Sequence, residues 1–179
     1  MKLSALSLLF LSLLFVACKK DGTEDPKLNA SDSFLPMQIG NYWRMNAENY
    51  TEIQDTLRIS KKLYYKFYSL IGGDAFSVSY LRIDKDNQLW ESWPSSDGKE
   101  YLRAKFNANV NDTFFTLNDQ TVNDYKVKMI EKTDDKRSFE FDMVYHPNLA
   151  GHPHTVTYIK GLGFPGDWTG LKIDGKVIK

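Results

Sequence analysis

The sequence predicts an all-β domain, an antiparallel meander curled into a half-barrel or barrel-like sheet. Three observations lead there. From residue 34 onward the chain divides into roughly ten or eleven short runs, about 8–12 residues apart with turn residues between them, a spacing that reads as an antiparallel barrel or sandwich. Most runs alternate apolar and polar residues, so one face of each should be wet, which argues against a parallel α/β sheet. No stretch after Cys18 carries a convincing helical period.

The elements follow in chain order. Pro36 and Gly40 punctuate the start, and residues 42–45 open the first strand. Ile53, Leu57 and Ile59 share a parity with Asp55, a half-buried strand with one polar intruder. Residues 63–70 are dense in Tyr and Phe, with strand propensity on both faces, and Gly72-Gly73-Asp74 turns the chain back. Phe76, Val78 and Tyr80 then alternate with Ser77 and Ser79. Residues 84–87 turn into a strand over 88–93, residues 94–98 form a loop, and residues 101–106 return. Residues 113–117 make a short strand, and Asp119-Gln120 a turn. Within residues 122–132, Tyr125, Val127 and Met129 share one parity. The clearest strand follows. Phe139, Phe141, Met143 and Tyr145 lie on one face, with Ser138, Glu140, Asp142 and Val144 opposite. After residues 154–160, Asp174-Gly175 between apolar pairs signals a closing hairpin.

The N-terminus is of another kind. Lys2, an apolar run over residues 3–17 and then Cys18 make a secretory signal peptide. The run is shorter than the roughly 20 residues that span a bilayer. Phe15-Val16-Ala17-Cys18 resembles the lipobox of bacterial lipoproteins, with Phe15 where that family most often has Leu. The resemblance implies cleavage before Cys18, a diacylglycerol on its thiol and an acyl chain on the new amino group. One chain anchors a protein only marginally, and two or more hold it firmly. No other cofactor is implied.

Residues 19–26 are charged, with no apolar side chain, so they should form a flexible tether. They resemble the Lys-plus-acidic tag of surface-exported lipoproteins. That implies an outer-membrane protein lipid-anchored at the cell surface or on the periplasmic side. The expected division is residues 1–17 as signal peptide, 18–33 as acylated cysteine and linker, and 34–179 as one β domain.

Composition narrows the partners. Basic and acidic residues number 23 each and no basic block stands out, which argues against nucleic acid. Cys18 is the only cysteine, so the domain rests on its apolar core with no internal disulfide. Leu35-Pro36 with Gly40-Asn41-Tyr42-Trp43, and Lys160-Gly161-Leu162-Gly163-Phe164, are similar to marks of an uncharacterised group of all-β bacterial lipoproteins. In that group Asn111-Asp112 stands where a Gly-Asp pair commonly precedes an aromatic strand. This likeness implies meandering strands in a half-barrel and assigns no chemistry.

Two sets of residues are candidates for a site. His146, His152 and His154 are all the histidines of the chain. On a strand His152 and His154 would face one way, a usable metal-ligand spacing, with His146 closing from across the hairpin. The same segment also reads as a polar loop punctuated by Pro147 and Pro153. Trp90, Trp93, Tyr101 and Trp168 lie near turns, where rings could stack on a glycan or apolar ligand; equally, aromatics fill small β cores. Trp168 would either stand exposed in its glycine-rich loop or fold back as a plug. No nucleophile elbow, phosphate loop or dinucleotide fingerprint occurs. The function expected is therefore a membrane-anchored, non-catalytic binding or accessory module. Alternatives are a lipid or lipoprotein carrier with an apolar concave sheet, and a metal-assisted hydrolase using the histidine segment.

Overall fold

Alternation sets Trp43, Ile53, Phe67, Leu81 and Leu89 on one face of successive strands, and an apolar face of that size needs cover. A computed structural model describes residues 29–179 and shows what covers it. The expected signal peptide, Cys18 and the expected tether over residues 19–26 lie outside the described residues.

Eight strands make the larger sheet. Strands β1 (Tyr42–Asn46), β2 (Asn49–Ile59), β3 (Lys62–Ile71), β4 (Ala75–Ile83), β5 (Gln88–Ser92) and β6 (Glu100–Lys105) meander in order. The last two, β11 (Gly170–Ile173) and β12 (Lys176–Val177), add outside β1. The smaller sheet is β7 (Thr113–Phe115), β8 (Lys126–Lys132), β9 (Lys136–Asp142) and β10 (His154–Ile159), again in sequence order. Every strand pairing is antiparallel.

The all-β antiparallel meander is as the sequence predicts. The curl into a barrel is not shown: the chain breaks between β6 and β7 and builds two sheets, neither of which returns to its first strand. One edge link joins them, as Leu102 N–H donates to the Thr116 carbonyl at 2.9 Å. Phe114, Val127, Met129, Phe139, Phe141 and Tyr158 of the smaller sheet meet the apolar face of the larger one in a shared core. Burying a side chain of this size stabilises by roughly 1.5–3 kcal/mol.

The two ends of the domain meet in that core. Trp43, fully buried, donates its indole N–H to the Leu162 carbonyl at 2.7 Å and lies edge-on to Phe164 at 5.4 Å. Gly163 has φ +85°, and a Cβ there would stand 3.1 Å from both Leu35 and Trp43. Asn41 is buried as well. It donates to the Pro36 carbonyl and accepts from Asp174 N–H, tying the entry segment to the last hairpin. The stretches around Trp43 and Gly163, far apart in sequence, form one joint. Ordered packing begins ahead of residue 34, with a short 3₁₀ turn at Ala30–Asp32, a buried Ser33, and Gly161 N–H donating to the Ser33 carbonyl at 2.8 Å.

The strand predicted over residues 138–145 ends at Asp142. His146 N–H bonds back to the Met143 carbonyl and Asp142 accepts from Gly151 N–H, so Met143 and Tyr145 belong to a turn. The last hairpin forms as expected, with Asp174 and Gly175 at φ 52° and 76° and Ile173 opposite Lys176.

Candidate functional site

The histidines are placed first by their backbone. Pro153 has no N–H to give a ladder, and β10 begins only at His154. His152 therefore sits in an exposed turn and does not share a strand face with His154. His146 accepts from Asn148 N–H through Nδ1, and His154 stacks on Phe141 at 5.4 Å. Among the described residues no group of three or more His, Cys, Asp or Glu is placed to hold a metal ion. The predicted histidine cluster is not assembled.

The four aromatic candidates divide. Trp93 and Tyr101 meet edge-on at 5.2 Å, with Lys99 and Arg103 over the Tyr101 ring. Trp90 is apart from them, donating to Asp84 at 2.7 Å beneath the Arg82 guanidinium. Trp168 folds back. Its indole is half-buried against the core, donates to the Phe164 carbonyl at 3.3 Å, and occupies the space a Cβ at Gly166 would need.

A larger aromatic surface lies elsewhere. Adjacent residues of a strand point to opposite faces, so with Trp43 and Phe67 inward, Tyr42 and Tyr68 point outward. The register carries this across four strands. Tyr42 is opposite Glu52, Tyr50 opposite Leu70, Glu52 opposite Tyr68, and Leu70 opposite Phe76. Each ring thus sits diagonal to the next, within reach of long side chains. Ring centroids follow at 5.5 Å from Tyr42 to Tyr50, 6.1 Å to Tyr68 and 5.8 Å to Phe76. Phe76, 68% exposed, ends the row.

An open depression of about 510 Å³ lies at the other end, lined by Tyr42, Tyr50, Arg44, Glu52 and Lys172. Burial, with Tyr68, Glu52 and Tyr42 beside it, pushes the Tyr50 hydroxyl above its ordinary pKa, so it remains a hydrogen-bond donor. The sequence signal was the ring density of residues 63–70. What it lacked was the register that aligns Tyr68 with Tyr42, Tyr50 and Phe76.

Beyond the row, the same face carries a polar cluster. Glu100 accepts from Lys62, from the Tyr64 hydroxyl and from Arg82, whose Nη2 lies 2.8 Å away. Tyr64 and Arg82 are buried, so this cluster is held by its own partners. Comparison with protein-family models, with curated proteins and with solved structures finds no match to this chain.

Proposed function

We propose that this chain is a lipid-anchored protein of the bacterial envelope, and that its β domain is a non-catalytic module binding extended glycans. The observation that carries the binding reading is the outward row Tyr42, Tyr50, Tyr68 and Phe76. A sugar ring has a C–H face that packs on an aromatic ring and hydroxyl edges that need polar partners, which Arg44, Glu52 and Lys172 offer beside the row. A row of four rings suits a chain of such units better than a single small molecule. The anchoring reading rests on the Ala17-Cys18 junction after the apolar run.

The test is affinity electrophoresis through gels containing laminarin, xylan, starch or dextran, with a pull-down on peptidoglycan. Wild-type protein is retained by at least one. Tyr50→Ala with Phe76→Ala weakens that retention by roughly thirtyfold or more, taking about 1 kcal/mol or more per lost stacking ring. Equal retention of the double variant, or no retention of the wild type, defeats the binding reading. Separately, Cys18→Ser leaves the membrane fraction and loses labelling by radioactive palmitate; a variant that still sediments with membranes defeats the anchoring reading.

A further inference from the structure

Between the two sheets, away from the outward row, a half-open cleft of about 270 Å³ holds an ion pair of a buried Glu91 and a partly exposed Arg103. Glu91 from β5 is 4% exposed, and Arg103 from β6 gives both Nε and an Nη to the same oxygen, Oε2. Glu91 Oε1 receives no donor among the described residues. Across the cleft, Tyr158 from β10 is 5% exposed, and its hydroxyl has no protein partner among the described residues. Burial pushes that hydroxyl far above its ordinary pKa, with Arg103 opposing and Glu91 adding to the shift, so it stays protonated and a donor. Asn87 Oδ1 is the one sealed side-chain atom without a partner among the described residues, so the Tyr158 hydroxyl and Glu91 Oε1 are open to this cleft, free to bond what enters it.

The lining says what that is. Arg103 and Glu91 cancel in charge, and apart from His154 on the wall the lining adds no further Asp, Glu, Lys or Arg, so a charged ligand would find no fixed countercharge there. An uncharged molecule adds none, provided that it donates to Glu91 Oε1 and accepts from the Tyr158 hydroxyl. Neighbouring hydroxyls on one ring do both. Leu89 and Phe164 supply apolar walls for the C–H face. The volume of about 270 Å³ falls just below the range of small-molecule pockets, about 300–1,000 Å³, so one ring is accommodated rather than a chain. We infer that this cleft is a second binding site, for a single uncharged pyranose, with Glu91 and Tyr158 as its hydrogen-bonding pair. It shares no residue with the outward row and stands or falls independently of it.

Saturation-transfer NMR tests this on the folded domain with methyl α- and β-glucopyranoside, galactopyranoside and mannopyranoside, and with glucuronate and glucosamine as charged counterparts. At least one methyl hexoside gives a saturable signal, and the charged sugars bind more weakly. Tyr158→Phe weakens that binding about tenfold or more, yet leaves the melting temperature of the free protein unchanged or raised, because it removes only an unpartnered hydroxyl. Phe76→Ala leaves the signal intact. Absence of a signal from every methyl hexoside, equal binding by Tyr158→Phe, tighter binding of glucuronate or glucosamine, or loss in Phe76→Ala would each overturn the site.

Discussion

Glu100 shows how a single residue couples this fold to pH. Burial alone would raise its pKa, but bonds from Lys62, Tyr64 and Arg82 outweigh burial and hold it below the ordinary 4.5. Its partner Tyr64 goes the other way, pushed up to about 12 by burial and by Glu100, against the pull of Arg82. The signs differ. The depressed carboxylate contributes stability above its unfolded pKa and loses it as pH falls through the folded value. The raised phenol contributes stability below about pH 10 and loses it as pH climbs toward 12. Melting temperature should therefore hold through neutral pH and decline below about pH 4.5, with Glu100→Gln showing a shallower acid decline than wild type. Thermal melts across the acid range check this, and parallel acid limbs would remove Glu100 from the explanation. Nothing in the sequence flagged Tyr64, Arg82 and Glu100 as a group, because they come from three strands and only register unites them.

Strands were far more legible than sites. In β9 the period of two assigns Phe139 and Phe141 to the core and Glu140 to the other face, and both phenylalanines are buried. Phe141→Ala should cost about 3–5 kcal/mol, and Glu140→Ala less than about 0.5 kcal/mol, by chemical denaturation. The reverse order would mean that the faces are exchanged. Where the sequence misled, a hydrogen bond decided. The turn after Asp142 is set by His146 N–H, and Pro153 keeps His152 off β10. The β2–β3 turn was equally hidden, since Ser60 and Lys61 take φ of 48° and 70° without the usual Asn or Gly. Asp124 is a further case. Fully buried, it accepts from the backbone N–H of Leu117, Asp119 and Gln120, shaping a loop that composition marks only as polar. The outward row was half legible: ring density marked β3, but diagonal pairing across four strands lies beyond any local pattern.

At the scale of the molecule, the central question is what makes two sheets one domain. A hydrophobic period says that a strand has an inner face and is silent on which sheet that face covers, so the break between β6 and β7 was invisible. Phe106 stands at that break. Fully buried just after β6, its ring lies 5.4 Å from Phe34 of the entry segment, 6.2 Å from Phe139 on β9 and 5.2 Å from Tyr158 on β10. Its carbonyl accepts from Arg137 Nε at 2.8 Å, and the Arg137 guanidinium covers Phe34 at 4.2 Å. One side chain thus touches the entry segment and two strands of the smaller sheet from the end of the larger one. Phe106→Ala should cost about 3–5 kcal/mol, in the range of large core truncations. The loss should appear in both sheets together, because neither buries its apolar face alone. Amide exchange can separate the alternatives. If the domain is one cooperative unit, the most protected amides of β2 and β3 quicken by the same factor as those of β8 and β9. Quickening confined to β8 and β9 would show the smaller sheet opening as a unit of its own.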